Sequence, residues 1–255
     1  MRQLIGAMTI ALGMGLSGMA SAVITGSSHD FTDGLKGKSG STGAGTVVNE
    51  NWNARKEICR VCHVPHDHSQ AAKRYEKGLL WNHELSSANY TMYNKAWSSS
   101  IDGVQSAQPD GTSKLCLGCH DGTVGIDTFD KYAGSGLEGG AATIFFDGTD
   151  IGYSKGYKVP GYEKGNVDLT GTHPISITFP AGQNGTQFRD PDVATWIGGG
   201  TVASTLDNGK VQCSTCHDVH NSESATALGS HLLRQAQTVS QGGVASGLCL
   251  TCHLK

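Results

Sequence analysis

The pentapeptide Cys-x-x-Cys-His occurs four times, at 59–63, 116–120, 213–217 and 249–253, and these units use all eight cysteines of the 255-residue chain. The histidine after every pair separates this pattern from its alternatives. A disulfide framework has no use for it, and two zinc ribbons need their Cys pairs roughly 15–20 residues apart, closer than any two units here. With only 11 histidines in the chain, four such placements are not coincidence. The spacing is that of c-type haem attachment, in which two thiols form thioether bonds to the porphyrin vinyl groups and the following His is presented to the iron. The expected load is four covalently bound haem c. Cys59, Cys62, Cys116, Cys119, Cys213, Cys216, Cys249 and Cys252 are the anchors, and His63, His120, His217 and His253 the proximal ligands.

A load of that size bears on fold class. Apolar residues are 37% of the chain and Gly 36 of its 255 residues, with Gly/Ser/Thr-rich stretches at 34–46 and 134–143. Such a chain has too little aliphatic surface for a conventional core, and porphyrins make up the deficit. The expectation is mostly coil, with short helices and a few short strands wrapped around a stacked haem array. Apolar periodicity places helices at 53–62 and 225–237 and strands at 143–146 and 175–179.

The first 22 residues read as a secretory signal: a positive start at Met1-Arg2, an apolar run over 4–19, and Ala20-Ser21-Ala22 as the cleavage site, before Val23. The run falls short of the roughly 20 residues a membrane span needs, so no span is expected after cleavage. Haem is coupled to this motif outside the cytoplasmic membrane, so motif and signal agree on export to the cell surface or beyond. The formal net charge of −3 argues against nucleic-acid binding, which needs a basic face.

A repeat organises the rest. Two motifs extend to Cys-x-x-Cys-His-x-x-His, at 59–66 and 213–220, and the other two read Leu-Cys-Leu-x-Cys-His, at 115–120 and 248–253. They alternate along the chain, and a further His precedes each long motif. This divides the protein into a first di-haem module at 23–120, a Gly- and aromatic-rich connection at 121–172, and a second di-haem module at 173–255. The same repeat selects the distal ligands as His29, His66, His173 and His220. Met is no rival, because only Met92 lies beyond the signal. His66 and His220 follow their proximal histidines by three residues and cannot reach the opposite face of their own haem, so each must serve a neighbour. His83 is the alternative should one of the four be replaced, and His68 and His231 are read as surface residues.

Ser27-Ser28-His29-Asp30-Phe31, Cys59-x-x-Cys62-His63-x-Pro65-His66, Leu80-Trp81-Asn82, His173-Pro174-Ile175-Ser176 and the terminal Leu248-Cys249-Leu250-x-Cys252-His253-x-Lys255 carry a resemblance over nearly the whole mature chain. The sequence resembles the doubled Cys-x-x-Cys-His multihaem cytochromes, in particular extracellular tetrahaem cytochromes of the outer-membrane cytochrome E type, which polymerise into conductive filaments. The resemblance implies bis-His coordination throughout, little regular secondary structure and one haem ligated by a histidine from the next subunit. His29, on an arm continued by the Gly-rich stretch 34–46, is the expected donor, and the haem at 249–253 the expected acceptor.

Three functions compete at this stage. One is an electron conduit in a homopolymeric filament, with other cytochromes, metal oxides or electrodes as electron partners. The second is a soluble or surface-bound electron carrier. The third is a multihaem oxidoreductase, which needs an iron with an open distal position; no variant haem motif marks one.

Overall fold

The computed structural model describes residues 24, 25, 27, 29–32, 53, 55–63, 79–94, 101–126, 128, 129, 162, 163, 166–180, 186–220 and 232–254. Regular structure within them is sparse and short. Chain order is β1 (Asn89–Thr91), α1 (Gly111–His120), β2 (Tyr162–Glu163), β3 (Asn166–Asp168), β4 (Ile177–Thr178), α2 (Val202–Thr205), β5 (Lys210–Val211), α3 (Cys213–Cys216), a 3-10 turn (Val239–Gln241) and α4 (Gly247–Cys252).

The strands form two small sheets. In the first, of order β1-β3-β2, β1 runs parallel to β3 with Tyr90 opposite Val167, and β2 runs antiparallel with Tyr162 opposite Val167. In the second, β4 and β5 are antiparallel, with Ile177 opposite Val211. Each sheet lies beside a modest apolar cluster: Met92, Leu117, Val167 and Leu169 near the first, and Phe179, Phe188, Trp196 and Val202 near the second. Clusters of four buried side chains are small for a chain of this length, in keeping with its composition.

Three helices coincide with Cys-x-x-Cys-His units, and two of them, α1 and α3, are joined at their N-terminal ends. Asp207 Oδ2 accepts from the N–H of Thr112 at 2.9 Å, which caps the start of α1 from far along the chain. In return Ser113 Oγ accepts from the N–H of Cys213, the first residue of α3, at 2.9 Å, and the Thr112 and Ser214 hydroxyls meet at 2.6 Å. The residue before α1, Asp110, is engaged elsewhere, by Lys210 Nζ, by Ser106 Oγ at 2.7 Å and by Gln212 Nε2 at 2.8 Å. The described parts of the two modules are thus interlocked through polar groups that would otherwise be unsatisfied helix ends.

Several local expectations are corrected. The helix expected over 53–62 is a series of turns in its described residues, because Lys56 takes the left-handed conformation (φ 54°) and the buried Asn53 amide is drawn to the Phe31 carbonyl. Of the helix expected over 225–237, residues 232–237 are described and are not α-helical: Leu233 is bridged to His217. The strand expected over 175–179 shortens to Ile177–Thr178. The expectation at 143–146 lies outside the described residues. α1, the longest helix among the described residues, lies where the sequence predicts none, since its hydrophobic residues do not follow helical spacing.

Candidate haem-binding site

The four Cys-x-x-Cys-His units are sites 1 (59–63), 2 (116–120), 3 (213–217) and 4 (249–253). All eight cysteines are free of disulfides. Their thiols run through space in chain order. Cys119 is pushed well up by burial and by Cys62 of site 1. The thiols of Cys116 and Cys213 are hydrogen-bonded, which raises the first and lowers the second. Cys216 is pushed up to about 12 by burial and then by Cys252 of site 4. Site 1 therefore neighbours site 2, site 2 neighbours site 3, and site 3 neighbours site 4.

The histidines are gathered in pairs. His120 of site 2 faces His29, with ring centroids 6.1 Å apart and planes at 64°. His63 of site 1 faces His220, at 6.2 Å and 27°. His253 of site 4 faces His173, at 6.3 Å and 71°. Three of the four proximal histidines thus each face one of the expected distal histidines. The fourth distal candidate, His66, lies outside the described residues, as do His68 and His231.

These spacings would fit an iron held between two imidazoles: with metal–nitrogen bonds of about 2 Å and about 1.1 Å from nitrogen to ring centre, the ring centroids would lie about 6.2 Å apart. Direct stacking would bring rings much closer, and an imidazole–imidazole hydrogen bond would not recur at one separation in three unrelated surroundings.

The tautomers agree. A ligating imidazole ordinarily donates its other N–H to a carbonyl, which leaves the second nitrogen bare for the metal. His63 Nδ1–H donates to the Leu79 carbonyl at 2.7 Å and His173 Nδ1–H to the Pro174 carbonyl at 3.0 Å. His29 has a backbone hydrogen bond with Val219, and burial, followed by His120, lowers its pKa to about 4, so it is neutral at ordinary pH. His83 contrasts with these. It is fully buried, with its ring nitrogens near the carbonyls of Glu84 at 2.9 Å and Gly125 at 3.1 Å, and its Nε2 3.4 Å from Cys119 Sγ of site 2.

Two further features fit a haem. The Trp81 indole lies edge-on to His63 at 5.9 Å, and its buried Nε1–H finds no acceptor in the protein. A buried donor in that state costs about 1–3 kcal/mol unless a ligand answers it, and a porphyrin carboxylate at site 1 would do so. At site 2, a Cβ on Gly118 would lie 2.7 Å from the Glu84 carbonyl oxygen, so this position of the motif admits only glycine without movement.

Within the single chain, the His29 ring faces His120 and the His253 ring faces His173. His29 is held at a turn where its N–H donates to Ser27 Oγ at 3.2 Å and its ring is buried against Val219.

No family model and no curated protein matches the chain. Among the described residues, no helix is long and apolar enough to cross a membrane.

Proposed function

We propose that the chain is an exported tetrahaem c-type cytochrome that carries electrons along sites 1 to 4 and serves as a subunit of an extracellular conducting filament. The observation that carries the reading is the recurrence of three histidine pairs at 6.1–6.3 Å, each with one member from a Cys-x-x-Cys-His unit. Haem c supplies a one-electron iron couple when bound.

The protein's own part is to hold positions. The eight cysteines anchor, His29, His63 and His173 keep one nitrogen bare through backbone hydrogen bonds, and the cross-capped α1 and α3 fix the spacing of sites 2 and 3. His66 completes the ligand set by the symmetry of the two long motifs. His220 lies three residues past His217 and pairs with His63, so exchanging the motifs pairs His66, three residues past His63, with His217. Imidazoles paired at sites 1, 2 and 4, and at site 3 where His66 would pair with His217, would leave no coordination position for a substrate, which favours electron transfer over a multihaem reductase. Sites 1 and 4 end the spatial series, so copies laid end to end bring site 4 of one against site 1 of the next, as the resemblance to filament-forming cytochromes implies.

The test is intact-mass spectrometry of exported protein, with a haemochrome assay, followed by negative-stain microscopy. Four haem additions and filaments are expected. A chain without haem refutes the whole reading; a four-haem protein without filaments refutes the filament and leaves the carrier.

A further inference from the structure

Sites 2, 3 and 4 each end a short helix and site 1 ends a run of turns, and such an end leaves backbone carbonyls without partners. At site 2 the chain answers this locally. The carbonyls of Leu117 and Cys119 accept from the following N–H groups of Asp121 at 3.0 Å and Gly122 at 3.4 Å, with Gly122 in the left-handed conformation (φ 77°). The other three sites do something different, and all three do the same thing.

At site 1 a separate segment approaches from outside. The backbone N–H of Asn82 donates to the Cys62 carbonyl at 2.9 Å, its side-chain Nδ2 donates to the Arg60 carbonyl at 2.6 Å, and the preceding Trp81 is bridged antiparallel to His63. At site 3 the backbone N–H of Arg234 donates to the Cys216 carbonyl at 2.9 Å, its Nε to the Ser214 carbonyl at 3.0 Å, and Leu233 is bridged to His217. At site 4 the backbone N–H of Arg189 donates to the Cys252 carbonyl at 2.8 Å, its Nε to the Leu250 carbonyl at 2.7 Å, and Phe188 is bridged to His253. In every case the main chain takes the carbonyl of the second cysteine, the side chain takes that of the first intervening residue, and a large apolar neighbour lies along the histidine. At sites 3 and 4 the histidine itself is extended, with φ −111° and −94°, so its ring leaves the helix at the angle this bridge sets.

We propose that this three-point latch positions the proximal histidine at sites 1, 3 and 4, with Asn82, Arg234 and Arg189 as positioning residues, and that the cationic form of the latch holds the haem potential at sites 3 and 4 above the value a neutral donor would give. The proposal rests on the haem-bearing reading above. A fixed positive charge near an iron disfavours the oxidised, more positive state, and it also suits the negative end of a helix. Among the described residues, carboxylates lie near both arginines. Asp218 Oδ1 lies 3.9 Å from Arg234 Nη2 and offsets part of that cation; Asp190 follows Arg189 in the chain, and its carboxylate accepts from the N–H of Asp192.

Because donor and charge are separable by substitution, so are the two halves of the proposal. Arg189→Gln and Arg234→Gln keep a side-chain N–H donor and remove the charge; the alanine variants remove both. Each haem is followed by electron paramagnetic resonance of the oxidised protein and by potentiometric titration. The glutamine variants are expected to keep the wild-type resonance of the affected haem while its potential falls. The alanine variants should in addition shift or broaden that resonance, and Asn82→Arg should raise the potential of one haem. Unmoved potentials in both glutamine variants and in Asn82→Arg would overturn the electrostatic half. Unmoved resonances in all three alanine variants, Asn82→Ala included, would overturn the positioning half. Should an alanine variant fail to mature, the glutamine variants still decide the electrostatic half, and Asn82→Asp, isosteric but without a donor, decides the positioning half. A wild-type protein without haem would refute the functional reading instead.

Discussion

His63 and His220, which belong to different modules, face each other at 6.2 Å with their ring planes only 27° apart, whereas the other two pairs cross at 64° and 71°. Axial imidazole planes that are nearly parallel donate into the same iron d orbital and split the remaining pair, and planes that cross leave that pair close in energy; the axial ligands are one of the protein's levers on the iron. Resonance spectra of the oxidised protein should therefore show a rhombic signal from site 1 and strongly anisotropic, large-g signals from sites 2 and 4. A spectrum with no large-g component would contradict the crossed geometry of His29 with His120 and of His173 with His253.

The same pair makes a prediction about ligand exchange between modules. His220→Ala should empty the distal position at site 1, although residue 220 adjoins site 3, and His66→Ala should empty that at site 3. Each variant should gain one high-spin haem that binds carbon monoxide, while His68→Ala and His231→Ala stay wholly low-spin. Loss of the site 3 signal in His220→Ala would show that each long motif serves its own haem.

His29→Ala separates ligation from assembly. With His29 facing His120 inside the chain, the variant should gain one carbon monoxide-binding haem, at site 2, and still form filaments of ordinary length. Soluble subunits from this variant, seen by microscopy, would mean that the histidine crosses between copies after all.

How much of this was legible beforehand depends on whether the determinant is contiguous. The repeat that picks out His29, His173 and His220 is contiguous with the motifs, and the fold sets each of the three against the histidine of a Cys-x-x-Cys-His unit. The latches are not. Asn82 follows site 1 closely enough for Leu80-Trp81-Asn82 to stand out, but Arg189 serves site 4 from far upstream, and nothing in Gln187-Phe188-Arg189 announces that its donors are for Leu250 and Cys252. Secondary structure was misjudged for a related reason. If the apolar partner of the chain is a cofactor, as proposed, hydrophobic spacing does not report helix faces, which accounts for the unexpected α1 and for the turns that replace a helix where Lys56 is left-handed.

Gly118 offers a direct test of close packing around site 2. A methyl group there meets the Glu84 carbonyl oxygen at 2.7 Å, which is backbone and cannot swing away, whereas a methyl on Gly171 meets nothing within 4 Å. Gly118→Ala should destabilise the protein by about 1–3 kcal/mol and lower haem attachment at site 2, and Gly171→Ala should be neutral. Equal denaturation midpoints for the two variants would refute the contact.

The link between Asp110 and Lys210 should make the joint between sites 2 and 3 sensitive to acid. Burial alone raises the Asp110 pKa, but hydrogen bonds from Lys210, Ser106 and Gln212 outweigh it and leave the carboxyl below its ordinary 3.8. A folded-state pKa below the unfolded one contributes stability that is fully present above the unfolded value and is lost as pH falls through the folded value. The Asp110 side chain keeps 40% of its surface in contact with solvent, so the contribution is discounted to about 1 kcal/mol or less. Asp110→Asn should thus lose about that much in chemical denaturation near neutral pH, and the difference from wild type should shrink as pH falls through the lowered Asp110 pKa and the wild-type carboxyl becomes protonated too. A difference that persisted unchanged into acid would show that the carboxylate charge plays no part in joining the two attachment helices.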